Sequence, residues 1–341
     1  MMKNVVLAFL LLCSAGARGG EGYQATVDLT AMVDDRLPVA LTLPDITERE
    51  VIFVFPKVSP GTYDKSDFGR FVREFQVLDA AGAPLPVKQL DKNAYRITDA
   101  TNARTVRYWL EDSWEEGRGA KYVFQPGGTN FEKGKNFVLN HHGMFGYVQG
   151  YKNRPFEVTY KKPDGFYGAT ALPREAAGPN EDRFRAATYF ELADNPILYC
   201  VPDTVSYDES GVRINIAVYA ATGQTKASLL LPGIRKATRA IRTEFPDMPL
   251  DSYSFLFYLF DVKSPVFKRG GYAAGALEHH RSSLYYLPDI YVPADSARLM
   301  DDLLEVVTHE FLHIITPLNL HSERIADFDF YNPVMSQHLW L

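Results

Sequence analysis

Cysteine is scarce in this chain: 341 residues contain two, Cys13 and Cys200. A disulfide framework is thereby excluded, and a chain of this size must rest on its apolar core. Basic residues are not in excess either. Lys and Arg number 36 against 42 Asp and Glu, a formal net charge of −6. Without a basic face there is no electrostatic footprint for nucleic acid, so no nucleic-acid partner is expected. Beyond the N-terminus no apolar run approaches the ~20 residues that a bilayer-spanning helix requires. Internal repeats and low-complexity segments are absent. What is abundant is aromatic: 22 Phe and 20 Tyr, accompanied by 24 Gly and 21 Pro, point to β-structure joined by turns. At 46% hydrophobic and 23% charged the composition is that of an ordinary globular protein, long enough for two or three domains.

Residues 1–17 stand apart. One Lys precedes an apolar run from Val5 to Leu12, and Ala15-Gly16-Ala17 follows the small-x-small rule for signal-peptide cleavage after Ala17. The run is too short to cross a membrane as a mature helix. An exported chain, periplasmic or extracellular, is therefore expected. Cys13 raises lipoprotein anchoring as a lesser alternative, because Leu12 stands where that processing favours a small residue.

Residues 18–173 read as an N-terminal antiparallel β-sandwich. Tyr23 to Ala31 alternates, Val51 to Phe55 is a continuous apolar run, and Phe71–Leu78, Tyr95–Thr98, Thr105–Leu110 and Phe156–Tyr160 are further strand candidates. Arg174 to Asp182 reads as a boundary or surface loop. Residues 174–341 have an α+β character. Val212–Tyr219 alternates, Lys226–Phe245 has helical spacing, Tyr253–Phe260 is a dense aromatic strand suited to the core, and Ser283–Tyr291 is extended. A long helix then runs from Asp295 or Ser296 to about Ile315, with Pro317 as its stop.

That last helix carries His309-Glu310-Phe311-Leu312-His313, an H-E-x-x-H. Positions i and i+4 share one helix face, so both imidazoles can reach one zinc ion while Glu310 stands beside its water. Zinc lowers the pKa of such a water towards ~7, and Glu310 can take the proton as a general base. With eight His in 341 residues, chance alone yields about 0.01 such motifs. Two histidines and a glutamate among buried aliphatics would also be costly without a partner or a metal.

A third protein ligand is needed. Metzincins place a His six residues after the second one and a Gly midway; here those positions hold Asn319 and Thr316. Aminopeptidases with a G-x-M-E-N strand place a Glu nineteen positions on, where Asn332 stands. Glu323 is too near to come from a second antiparallel helix. His321, Asp327, Asp329 and His338 are candidates, each also readable as a surface residue. The chain ends on the apolar run Leu339-Trp340-Leu341, and the third ligand is expected beyond it. The chain alone is then expected to be inactive.

Four passages resemble the glycyl aminopeptidases, gluzincin metallopeptidases with a β-domain, a thermolysin-like catalytic domain and usually a PDZ domain. They are Phe55 to Tyr63 with Asp67 to Phe75, Asn140-His-His-Gly-Met-Phe-Gly-Tyr-Val-Gln-Gly150, Gly275-Ala-Leu-Glu-His279 with Ser282-Ser283, and His309 to His313. After the second His the family pattern x-W-N-x-K-R-x-R-P is absent, Ile314 to Arg324 standing in its place, which marks a divergent branch. The family's E-G-x-T-x-Y glutamate follows a Leu-Trp pair, and Leu339-Trp340 matches that pair. The resemblance implies that residues 174–341 are the first part of a thermolysin-like zincin domain. It implies that Glu278 holds a substrate's α-ammonium, and that Gly275 and Ala276 leave their strand's backbone open to an added peptide strand. His279 and His280 are expected beside the site or on the surface, and His141 and His142 in a loop. The expected function is a zinc-dependent aminopeptidase with a peptide or protein substrate. A peptide-binding module with a zincin remnant and a zincin endopeptidase are the competing readings. Oligomeric state, side-chain preference and physiological substrate are not set by the sequence.

Expressed with its leader in a secreting host, the chain should be trimmed to begin at Arg18. Intact-mass measurement of the exported fraction checks this, and a retained Met1 there would refute it.

Overall fold

The computed structural model describes residues 20–62, 64–114, 122–264, 274–289, 296–320 and 328–333. The expected signal peptide, residues 1–17, and the candidate ligands His321, Asp327 and His338 lie outside the described residues.

Residues up to Cys200 form three sheets. The first joins β1 (Tyr23–Asp28), β2 (Arg36–Thr42), β4 (Val72–Leu78), β7 (Thr105–Glu111), β11 (Phe156–Lys161), β13 (Arg174–Ala177) and β14 (Glu181–Ala186), in the order β13-β14-β11-β1-β2-β7-β4. The second is β10 (Tyr147–Val148), β3 (Val51–Val54), β6 (Ala94–Ile97) and β5 (Val87–Gln89); the third is β12 (Tyr167–Ala169), β15 (Ile197–Cys200), β9 (Asn136–Leu139) and β8 (Asn130–Glu132). Alternation explains the first sheet. Tyr23, Ala25 and Val27 turn inward from β1, and Phe184 and Ala186 from β14. Residues of all three sheets meet in one core, in which Phe55 lies edge-on to Tyr108 at 5.3 Å and Phe75 stacks on Tyr95 at 3.9 Å. The Tyr108 hydroxyl donates to the Met144 carbonyl.

Two expectations change here. The β-region is not purely antiparallel, because β1 runs parallel to β11. The chain between these strands is long enough for the crossover that a parallel pair requires. And Arg174–Asp182 is not a surface loop: it supplies β13 and the start of β14 to the first sheet. β13 itself stays mostly exposed, and the segment is fixed at its end by Asp182, whose fully buried carboxylate accepts Lys162 Nζ at 2.9 and 3.0 Å and the Tyr199 hydroxyl at 3.0 Å.

After Cys200 the architecture is mixed. A five-stranded sheet runs β16 (Thr204–Glu209), β17 (Val212–Ala220), β18 (Ser252–Phe260), β20 (Ser282–Pro288) and β19 (Gly275–Glu278). The β17–β18 and β18–β20 pairs are parallel and the outer two antiparallel. Two of the four described helices are short, α1 (His141–Met144) and α2 (Tyr189–Ala193); the others are α3 (Ala227–Glu244) and α4 (Ser296–Leu312). Leu304 of α4 seats where a Cβ at Gly233 of α3 would stand 2.7 Å away, so that glycine lets the two helices approach. Among the described residues no helix is long and apolar enough to cross a membrane. The two regions meet across aromatic rings: Trp114 is edge-on to Tyr258 and to Tyr286, both at 4.8 Å, and the Tyr258 hydroxyl donates to Glu132 at 2.8 Å. Cys200 is buried, and burial pushes its thiol up to about 12, so it is an inert core residue.

Removing Asp182 leaves the Lys162 ammonium buried and unpaired. Asp182→Ala should therefore destabilise the protein by about 3–5 kcal/mol. Urea denaturation followed by tyrosine and tryptophan fluorescence measures it, and a midpoint equal to the parent's would show that water replaces the carboxylate.

Candidate metal centre

The site is set by how α4 lies on its sheet. Val307, Phe311 and Ile314 are buried in the core of the second region, and Phe311 meets Tyr253 at 4.9 Å and Phe255 at 5.7 Å. At 100° per residue these positions form one stripe, and His309 and His313 fall away from it. His309 is accordingly exposed and His313 half-buried, while Glu310, on the flank of the stripe, is only 6% exposed.

The two imidazoles turn Nε2 towards Nε2 at 3.1 Å, with the rings at right angles. His313 Nδ1 lies 2.9 Å from the Thr316 carbonyl, a contact that orients the ring with Nε2 towards His309. Ligand atoms of His309, Glu310 and His313 all lie within 4.8 Å of one another. Two nitrogens each about 2.0–2.1 Å from one tetrahedral zinc would be about 3.3 Å apart, so the observed pair fits that ion. Glu310 Oε2 is buried and has no hydrogen-bond partner among the described residues, grouped with the two nitrogens. Burial first, and the charge of Glu278 second, push the Glu310 carboxyl up to about 8. Donor set, spacing and orphan oxygen together fit a zinc site of the H-E-x-x-H kind.

Glu278 comes from the last rung of β19, paired in register with Ser283. Its carboxylate lies flat against Gly61 of the first region: a Cβ at Gly61 would stand 2.9 and 3.1 Å from the two oxygens, and the residue's φ of +79° also favours glycine. β19 is the end strand of its sheet, so its outer backbone edge has no strand partner among the described residues. Gly275 acts on the face of the strand as well, since the Phe124 ring fills the room that a Cβ would need, at 2.6 Å. Ala276 pairs with Tyr285 and packs on the core. Among the described residues Asp329, a candidate third ligand, does not join the His309, Glu310 and His313 group. It accepts the amides of Tyr331 and Asn332, in a segment whose Phe330 carbonyl holds the Lys57 amide of the first region.

His141 and His142, expected in a loop, are fully buried in α1. Their ring nitrogens meet backbone carbonyls, His141 that of Asn195 at 2.8 Å and His142 that of Gly127 at 2.7 Å. Burial lowers both to about 4, so both rings are neutral donors. Gly61 lies in the Phe55–Tyr63 passage, but its contact with Glu278 is not legible there, and Asp194 lies in no chemistry-bearing pattern; each reaches the site only through tertiary contact.

The β-rich first region and the helix-borne H-E-x-x-H beside a mixed sheet are together the architecture of a peptidase. The chain belongs to the M61 peptidase family, whose N-terminal domain profile matches residues 24–201. Comparison with curated protein sequences finds no match. Among solved structures, an aminopeptidase N family protein from Idiomarina loihiensis aligns with a TM-score of 0.74 at 20% identity, over 91% of this chain and 50% of that one. Aminopeptidase A of Legionella pneumophila, in complex with aspartic acid, aligns at 0.49 and 13% identity over 86% of this chain and 34% of its own. A two-domain M1 zinc metallopeptidase mutant bound to L-arginine aligns at 0.45 and 12% identity, over 86% and 64%. This chain thus spans half the length of the Idiomarina protein.

The geometry predicts that zinc content depends on both imidazoles. In the full-length protein, His309→Ala with His313→Ala should abolish stoichiometric zinc measured by atomic absorption. Unchanged zinc in that double variant would place the metal elsewhere.

Proposed function

We propose that the full-length protein is an exported zinc-dependent peptidase that cleaves near a free N-terminus. Its second region would be the start of a thermolysin-like catalytic domain, and its three-sheet region the counterpart of the expected sandwich. The observation that carries this reading is the buried, unpartnered Glu310 Oε2 beside two imidazole nitrogens 3.1 Å apart. A zinc ion held by His309 and His313 supplies Lewis acidity, polarising a peptide carbonyl and acidifying water. Glu310 takes a proton from the attacking water and delivers it to the leaving amine. Its burial suits both steps, because a carboxylate in an apolar setting is a stronger base and a neutral carboxyl is stable there. The third ligand would be a carboxylate outside the described residues.

Glu278 gives the exopeptidase reading its support. A carboxylate close enough to Glu310 to raise it electrostatically, on an end strand whose edge can take an extended peptide, is placed to hold an α-ammonium and fix the first peptide bond. An endopeptidase would need no such carboxylate, and blocked and free peptides assayed side by side separate the two.

Glu310→Gln should retain zinc and lower peptide turnover by about two to four orders of magnitude, because an amide cannot accept the proton. Turnover equal to the parent's at equal zinc loading would remove Glu310 from the mechanism.

A further inference from the structure

The turn that follows Glu278 is held from the first region by one buried carboxylate. Asp194 closes α2, and its side chain is only 12% exposed. Oδ2 accepts the His280 backbone amide at 3.1 Å and faces His280 Nδ1 at 2.8 Å, while Oδ1 faces His279 Nδ1 at 3.4 Å. All three contacts go to the two residues directly after Glu278. The turn itself is closed by His279 N–H to the Ser282 carbonyl at 2.9 Å, and tied to β18 by Ser254 N–H to the Arg281 carbonyl at 3.0 Å. Glu278 is the last paired residue before that turn, so a shift of the turn moves its carboxylate directly.

Asp194 is itself anchored. His141 holds the carbonyl of Asn195 and His142 faces that of Ala193, one on each side of Asp194, and Asn195 Nδ2 donates to the Glu191 carbonyl at 2.7 Å. These are the two histidines of the Asn140-His-His-Gly passage, which has no part in the proposed chemistry. A contiguous series of contacts therefore runs from α1 through α2 to the β19–β20 turn, and from there to Glu278.

We propose that Asp194 is a positioning residue for the substrate-amine site: it clamps the β19–β20 turn to the first region and so holds the Glu278 carboxylate against Gly61 and towards Glu310. This rests on the reading of Glu278 as the amine-binding group. The first region is then a working part of the substrate site, through Gly61 on the carboxylate and Asp194 on the turn.

The test uses the full-length protein. In its metal-free form, Asp194→Ala should speed hydrogen exchange of the His280 amide by about tenfold or more, and Asp194→Glu should restore part of the protection. With zinc loaded, Asp194→Ala should raise KM for alanyl p-nitroanilide about tenfold and lower kcat by less than about threefold, as should His280→Ala, whose half-exposed ring makes it the variant of choice should Asp194→Ala fail to fold. Glu278→Gln should also raise KM, and adding Asp194→Ala to it should raise KM no further, because both act through one carboxylate. If Glu278→Gln raises KM and the Asp194 and His280 variants do not, the clamp is overturned and the amine-binding reading stands. If the two effects are additive, Asp194 acts elsewhere and the proposal is again overturned. If Glu278→Gln leaves KM unchanged, the amine-binding reading falls and the positioning role falls with it.

Discussion

The rotation of α4 about its own axis is the constraint on which the site depends. Val307, Phe311 and Ile314 bury one stripe against Tyr253 and Phe255 of β18, and that burial leaves no freedom in where the other positions point. Burying three such side chains contributes on the order of 5–8 kcal/mol, far more than any single polar contact around the helix. Rolled by one position one way, the helix would carry His313 and Glu310 into the core together; rolled the other way, it would carry Glu310 into solvent. The apolar packing therefore sets the chemistry: two imidazoles outward and together, and one carboxylate on the flank, buried enough to be basic.

Around that helix the protein is built from two regions that share more than a boundary. Rings of Trp114, Tyr258 and Tyr286 interlock across the seam, and the Glu132 carboxylate receives the Tyr258 hydroxyl. Closer to the site the contacts become specific. Gly61 has no side chain where the Glu278 carboxylate lies, Phe124 takes the room beside Gly275, and Asp194 binds the turn after Glu278. Such contacts tie the β-rich region to the strand and turn that carry Glu278. Membership of the M61 peptidase family fits this division, since the family's N-terminal domain covers the region that makes those contacts.

Buried polar groups recur in the structure, and several have a local answer. Lys162, Tyr199 and Asp182 satisfy one another inside the first region. His141 and His142 are kept neutral by burial and donate to carbonyls. Glu310 Oε2 differs in being an unpartnered carboxylate oxygen, among the described residues, grouped with the ligand nitrogens of His309 and His313, which is why it reads as a working group.

The sequence alone determined what periodicity and local chemistry can carry. The strands at 23–28, 51–54, 72–78, 105–111, 156–161 and 212–220, the helices at 227–244 and 296–312, and the spacing of His309, Glu310 and His313 all follow from patterns that repeat within a few residues. Tertiary structure decided the rest. Arg174–Asp182 looked polar enough for a loop, yet it forms strands, because the partners of Asp182 lie at Lys162 and Tyr199. His141 and His142 were expected in a loop, yet they are buried in a helix, because the carbonyls that meet them come from residues more than ten positions away. The turn at Gly61 is visible in one dimension but its contact with Glu278 is not, and Asp194 carries no signal there at all. A glycine becomes necessary only when a carboxylate lies where its Cβ would be, and an aspartate becomes a clamp only when another region's turn brings donors to it. Local pattern is written in neighbouring residues, whereas complementarity between distant ones exists only once the chain has folded.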